Sequence, residues 1–317
     1  MRNDHGGDIY TYGKVLDFSA NINPIGTPEN VLKAAVQGVY QMNNYPDPLC
    51  RELKSAIGNM EGICKDYIIC GNGAADLIFQ LAMAKTPKRA LLVAPGFTEY
   101  QQALECIGTE IIYYKLERER DFMLEEDFLL YLKADIDMIF LCNPNNPTGK
   151  TIPMKLLDKI IDVCNKRSIF LVLDECFNDF LEYPEEYSKK NEVIKYKNLF
   201  ILKAFTKMYA MAGLRLGYGL CGDEELIEKI QVSRQPWSVS IPAQAAGIAA
   251  LKEMEFPEKT RCYIKKEREY LCRCMNQMGI TYWEPEANYI FFNSQLDLKE
   301  LLLERNILIR DCSNYIG

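Results

Sequence analysis

The chain has 317 residues, enough to bury a large core, and its 48% hydrophobic and 26% charged residues are those expected of a soluble globular protein. With 37 basic against 44 acidic residues the formal charge is −7 and no long basic run occurs, so no nucleic-acid partner is expected. No apolar stretch reaches the roughly 18 to 20 residues that cross a bilayer, and the opening MRNDHGGDIY lacks an apolar signal core, so no membrane partner and a cytoplasmic location are expected.

In chain order, residues 1–30 are rich in Asn, Gly and Pro and read as an arm packed with the small domain. Between 67 and 221, short apolar runs alternate with helix-length segments. The runs YIIC (67–70), ALLVA (90–94), MIFLC (138–142), IFLVLD (169–174), LFILKAF (199–205) and LRLGYGLC (214–221) read as strands. Several are continuously apolar, as strands covered on both faces must be. Helical patterns cover 74–85, 97–107 and 153–167, so 31–235 is expected to be a large α/β domain with a mostly parallel sheet. A long helical stretch broken at Pro257 is expected over 223–278. Then YIFFN (289–293), the helix 297–306 and ILIR (307–310) predict a small α+β domain over 236–317.

The polar motifs fall where strands end. GNGAAD (71–76), PGFTEY (95–100), NPNNPTG (143–149) and DECF (174–177) follow four successive strands, and open α/β sheets bind ligands beyond those ends. GNGAAD opens a helix whose N–H groups can hold a phosphate, although such a turn needs glycine in any case. Arg215 offers a guanidinium suited to the same phosphate. Asp174 closes an apolar run, where a carboxylate is costly without a cation. Phe97 suits a flat ring or the core. LKAFTKMYAMAGLRLGYG (202–219) brings two lysines, Lys203 and Lys207, to the same edge. A phosphate, a cationic ring nitrogen and an aldehyde seeking a lysine belong together in pyridoxal phosphate.

The 12 cysteines are scattered, and the closest pair, Cys272 and Cys274, is CxC. With His5 the sole histidine, neither a metal site nor a Ser-His-Asp triad is expected.

Asn146, Asp174, Lys207 and Arg215 match, in order and spacing, the fold-type I aminotransferase superfamily, and the resemblance runs over almost the whole chain. It implies that Lys207 is the Schiff-base lysine and that Asp174 pairs with the ring nitrogen. Asn146 would bond the ring hydroxyl, and Phe97 would stack on the ring. Gly73, Ala74, Thr206 and Arg215 would hold the phosphate, as would Tyr45 of a neighbouring subunit in a homodimer. Lys203 is then structural.

HGGDIY (5–10), LDFSANINPIG (16–26), QPWSVSIPAQAA (235–246) and ILIRDCSNY (307–315) resemble the threonine-phosphate decarboxylases of cobalamin biosynthesis, close to the histidinol-phosphate aminotransferases. Phe177, where the latter usually carry tyrosine, fits the former. The resemblance implies decarboxylation of a small phosphorylated amino acid, L-threonine O-3-phosphate, with His5, Asn23, Asn146, Asn288 and Arg310 binding it. Transamination of histidinol phosphate or another amino acid is the alternative, and a non-catalytic, cofactor-binding remnant is the third. Two departures stand out. Ala204 replaces a frequent phosphate-binding serine, and the sequence stops at Gly317, short of a final strand and helix carrying a substrate-binding arginine, so a truncated small domain is expected.

Overall fold

The structure, a computed structural model, describes residues 5–316; residues 1–4 of the expected arm and Gly317 of the expected small domain lie outside the described residues. Eleven strands occur among them: β1 (Leu16–Asp17), β2 (Ile68–Gly71), β3 (Arg89–Ala94), β4 (Glu110–Lys115), β5 (Met138–Cys142), β6 (Phe170–Asp174), β7 (Leu199–Ala204), β8 (Gly217–Cys221), β9 (Thr281–Tyr282), β10 (Phe292–Asn293) and β11 (Ile307–Leu308). Seven form one sheet in the order β2-β8-β7-β6-β5-β3-β4, in which β8 alone runs antiparallel to its neighbours.

The apolar runs form this sheet because both faces are covered. Successive residues of a strand point to opposite sides. Leu171, Leu173, Leu199 and Ile201 therefore meet helices Arg51–Glu61 and Met154–Lys166 on one face. Phe170, Val172, Phe200 and Leu202 meet helices Ala74–Lys85 and Glu224–Ser233 on the other.

Three expectations change. The strand Glu110–Lys115 is an addition, and its mixed polar and apolar pattern suits the sheet edge it occupies. The stretch 214–221 yields a strand only from Gly217, because Arg215 adopts the left-handed conformation (φ 57°). The break expected at Pro257 is not there: Pro257 lies in the first turn of helix Phe256–Gln277, where its missing N–H has no acceptor to lose. The interruptions fall instead at 234–240 and 251–255, between helices Glu224–Ser233, Ile241–Ala250 and Phe256–Gln277.

Outside the main sheet, β1 pairs in parallel with β11 and β9 pairs with β10, so the N-terminal segment adds a strand beside the C-terminal one. The C-terminal unit is tied to the sheet edge by Thr151 Oγ1 donating to Glu286 Oε2 (2.8 Å) and Tyr289 Oη donating to the Asn145 carbonyl (2.8 Å).

Lys203 shares the face of Leu199 and Ile201, and its ammonium is buried. It lies 3.1 Å from Glu61 Oε1 and 3.6 Å from Asp179; Lys190 reaches Glu61 Oε2 at 3.0 Å and Tyr218 Oη donates to Glu61 Oε1. Burial alone would raise the Glu61 pKa, but the Lys203 and Lys190 ammoniums outweigh it and hold the carboxyl at about 2. A folded pKa depressed in this way contributes stability that is present above the ordinary carboxyl range and is lost as pH falls through it toward 2. Glu61→Leu, which leaves two buried cations facing an apolar side chain, is expected to lower unfolding stability by about 3 to 5 kcal/mol in urea titrations at pH 7. A loss below about 1 kcal/mol would show that the cluster is indifferent to its carboxylate.

Candidate active site

β6 delivers Asp174 to the sheet edge with only 4% exposure. Two donors meet its carboxylate: Tyr100 Oη at 2.6 Å on Oδ2, and the Cys176 backbone N–H at 2.9 Å on Oδ1. The Tyr100 ring is stacked on Phe140, with centroids 4.8 Å apart, so this donor is rigid. Burial pushes the Asp174 carboxyl above its usual range, and the bonds from Cys176 and Tyr100, with the Lys207 cation nearby, oppose that push. Such a carboxylate is set to receive one more cation.

The lysine is positioned by a single helical turn, Phe205–Met208, directly after β7. Lys207 Nζ donates to the Ala20 carbonyl at 2.6 Å and lies 5.5 Å from the centroid of the Phe177 ring. Burial lowers its pKa, the Arg215 cation lowers it further, and Cys176 and Glu99 act the other way. The ammonium is thereby moved toward the neutral amine, which is the nucleophile. Lys203, four residues earlier, is raised instead: burial would lower it, but Asp179 and Glu61 keep it charged. Only one of the two lysines is thus both desolvated and free of a carboxylate partner.

A cradle forms where β2 turns into helix Ala74–Lys85. Gly73 has φ +83°, and a Cβ there would lie 2.4 Å from Arg215 Nη2, so glycine is required for the guanidinium to cap this helix N-terminus. Gly217 packs as tightly from below, since its Cβ would meet the Ala74 nitrogen at 2.6 Å. Backbone N–H groups and a guanidinium converging on one spot make an anion site. Thr206 is buried beside Lys207.

Along NPNNPTG the three asparagines separate by role. Asn143 Oδ1 accepts the Ile152 N–H (2.8 Å), and Asn145 Nδ2 donates to the Pro95 carbonyl (3.2 Å) and Thr148 Oγ1 (3.0 Å). Both are structural brackets. The Asn146 side chain, half-buried, makes no hydrogen bond among the described residues. Phe97 is half-buried and meets Tyr100 edge to face, with centroids 5.4 Å apart. Tyr45 lies outside this cluster, 78% exposed and stacked on Trp237 at 4.5 Å.

Of the expected substrate ligands, Asn23 is corrected. Its Nδ2 donates to the Met208 carbonyl (2.7 Å) and Thr260 Oγ1 (2.9 Å), its Oδ1 accepts the Ile25 N–H (3.0 Å), and at 2% exposure both donor hydrogens are spent within the fold. It fixes the arm to the lysine-bearing turn. Asn288 Nδ2 is likewise taken by the Asn21 carbonyl (2.9 Å), while its buried Oδ1 has no partner among the described residues. Arg310 Nη2 bonds Asn314 Oδ1 (3.2 Å), and its guanidinium lies 5.4 Å from the Tyr315 ring centroid. His5 Nδ1 lies 3.1 Å from Glu99. Sequence reasoning missed Tyr100, Cys176 and Glu99. Tyr100 left one signal, a hydroxyl among the apolar residues that helix Thr98–Glu105 buries.

Comparison with known proteins gives the family. Residues 13–315 match the family model for aminotransferase class I and II. The threonine-phosphate decarboxylase of Salmonella typhimurium is 36% identical, with 99% of this chain and 89% of that one aligned. The histidinol-phosphate aminotransferase of Methanosphaera stadtmanae is 29% identical over 96% of this chain and 83% of its own. Among solved structures, the histidinol-phosphate aminotransferase of Clostridium acetobutylicum superposes with a TM-score of 0.88 at 30% identity, covering 96% of this chain and 91% of that one.

Proposed function

We propose that this chain, which belongs to the family of class I and II aminotransferases, is a pyridoxal phosphate-dependent lyase that decarboxylates L-threonine O-3-phosphate to (R)-1-aminopropan-2-ol O-2-phosphate, a reaction of cobalamin biosynthesis. The observation that carries the substrate is the near-full-length likeness to the Salmonella decarboxylase.

The residues fit the cofactor on three counts. Asp174 is a buried carboxylate suited to a cationic ring nitrogen, and Lys207 is a desolvated amine suited to an aldehyde. The opening at Gly73 under Arg215 is closed by any Cβ, as expected of a phosphate cradle. In this reading Gly73, Ala74, Thr206 and Arg215 hold the phosphate, Asn146 the ring hydroxyl, Phe97 the ring face and Asp174 the ring nitrogen. When bound, the cofactor supplies an electron sink for the pair released as a bond at the substrate α-carbon breaks.

The chain's own residues do the rest. Asp174, fixed by Tyr100 and Cys176, keeps a proton on the ring nitrogen by offering it a charge-assisted hydrogen bond. Lys207 would hold a proton at Nζ and deliver it to the α-carbon in place of the departed CO2. His5 and Arg310 orient the substrate through its phosphate and carboxylate, and Asn288 Oδ1 accepts a substrate hydrogen bond. Losing CO2 rather than the α-hydrogen depends on which bond these groups hold across the ring face.

A second reading, transamination, draws support from the likeness to the Clostridium aminotransferase. The two differ in stoichiometry. Incubated with threonine phosphate and cofactor but no keto acid, the protein is expected to release CO2 and aminopropanol phosphate in equal amounts over many turnovers. Turnover that requires a keto-acid acceptor would establish the second reading, and no turnover with either would leave a cofactor-binding remnant.

The site is composite in this reading, because Tyr45 belongs to the phosphate of a second copy of the chain. Pro46 and Pro48 restrict the backbone around Tyr45, and Leu32, Val36, Tyr40 and Met42 are exposed nearby in sequence, as expected of an apolar contact between copies. Mixing Tyr45→Ala with Lys207→Ala protein is expected to restore part of the activity through hybrid dimers. Full activity of a monomer at assay concentration would contradict the shared site.

A further inference from the structure

Glu99 has no part in the roles assigned so far, yet it sits among them. It lies in the first turn of helix Thr98–Glu105, two residues after Phe97 and one before Tyr100. Its side chain is only 15% exposed. Its Oε1 meets His5 Nδ1 at 3.1 Å, and Thr98 Oγ1 donates to its Oε2 at 3.4 Å. Burial raises its carboxyl above the usual range, and His5 and, more weakly, Lys207 oppose this. It also bears on the Tyr315 phenol, which burial pushes up with Cys312 and Glu99 adding to the effect. Glu99 therefore ties the N-terminal segment, through His5, to the helix that carries Tyr100.

A carboxylate beside a site for a phosphorylated, carboxylated substrate repels it unless a cation screens the charge. His5 is the side chain that meets this carboxylate. Gly7 N–H donates to Ser19 Oγ (2.7 Å), and Gly6 packs so closely that a Cβ would fall 1.9 Å from the Ser19 carbonyl. These contacts place the backbone of the segment; the His5 imidazole is fixed by Glu99.

We propose that Glu99 is a positioning residue that determines specificity: it holds His5 at the mouth of the site so that the imidazole, with Arg310, meets an anionic group of the substrate. This rests on the decarboxylase reading for the identity of the substrate, but not for the His5–Glu99 contact. Glu99 touches neither substrate nor cofactor and acts through His5.

The chain has a single histidine, so one imidazole signal reports this contact without ambiguity. In cofactor-loaded protein, NMR relaxation of that imidazole is expected to show a ring as ordered as the fold. In Glu99→Gln it is expected to narrow toward the line width of a free tail, and in Glu99→Asp to recover in part. In parallel, KM for threonine phosphate is expected to rise roughly threefold to tenfold in Glu99→Gln, with kcat within about twofold and the cofactor absorbance unchanged, as for a charged hydrogen bond lost from binding alone. His5→Gln is expected to match it, and the double variant to be no worse than either single one.

An ordered imidazole in Glu99→Gln, or additive losses in the double variant, would overturn the proposal. If native protein does not act on threonine phosphate at all, the substrate reading fails, while the relaxation measurement still decides the role of Glu99.

Discussion

A carboxylate removed from water at the end of a parallel strand sets the terms for its surroundings. Asp174 cannot be exposed, because β6 lies between β5 and β7 with helices over both faces, and burial works against its charge. Tyr100 and the Cys176 N–H supply two hydrogen bonds, and Lys207 acts from a distance without forming an ion pair. The remaining demand is for a cation in hydrogen-bonding reach. Lys207 is the mirror case, a desolvated amine held by one backbone carbonyl and beside another cation. Pyridoxal phosphate answers both, with a cationic nitrogen for one and an aldehyde for the other. Its phosphate matches the cradle that Gly73, the helix N-terminus and Arg215 form.

The period-two geometry of a strand explains why one short stretch holds two lysines of opposite character. On β7, Lys203 follows Leu199 and Ile201 onto the face where the carboxylates of Glu61 and Asp179 pair with it. The strand ends at Ala204, and the helical turn that follows carries Lys207 to the edge instead. The same edge is supported from the small C-terminal unit by Tyr289 and Glu286, and from the N-terminal segment by Asn23 and Ala20. Both chain ends thus brace the edge that carries the nucleophile, and Glu99 meets the N-terminal segment at His5.

The α/β class and the cofactor were legible because their signals are local. ALLVA, MIFLC and the first five residues of IFLVLD are apolar since both faces of the sheet are covered, and GNGAAD marks a helix start at Ala74 because only glycine tolerates the approach of Arg215. Edge strand EIIYYK escaped notice because an edge can be half polar. Pro257 misled because a proline that would break a helix interior is harmless in a first turn. The strands of the C-terminal unit are only two residues long, too short for any periodicity. The site residues missed, Tyr100, Cys176 and Glu99, owe their parts to neighbours 74, 2 and 94 positions away in sequence, Asp174 for the first two and His5 for the third. Asn23 sits in the stretch LDFSANINPIG, but its burial against Thr260 and Met208 makes it a bracket, which the sequence alone does not disclose.

The central claim is that burial has prepared one lysine, Lys207, while ion pairs keep the other, Lys203, charged. Borohydride reduction of the cofactor-loaded protein, followed by peptide mapping, tests it most directly. The cofactor is expected to be fixed to Lys207, with Lys203 unmodified. Modification at Lys203, or at a lysine outside residues 202–219, would contradict the assignment of the whole site.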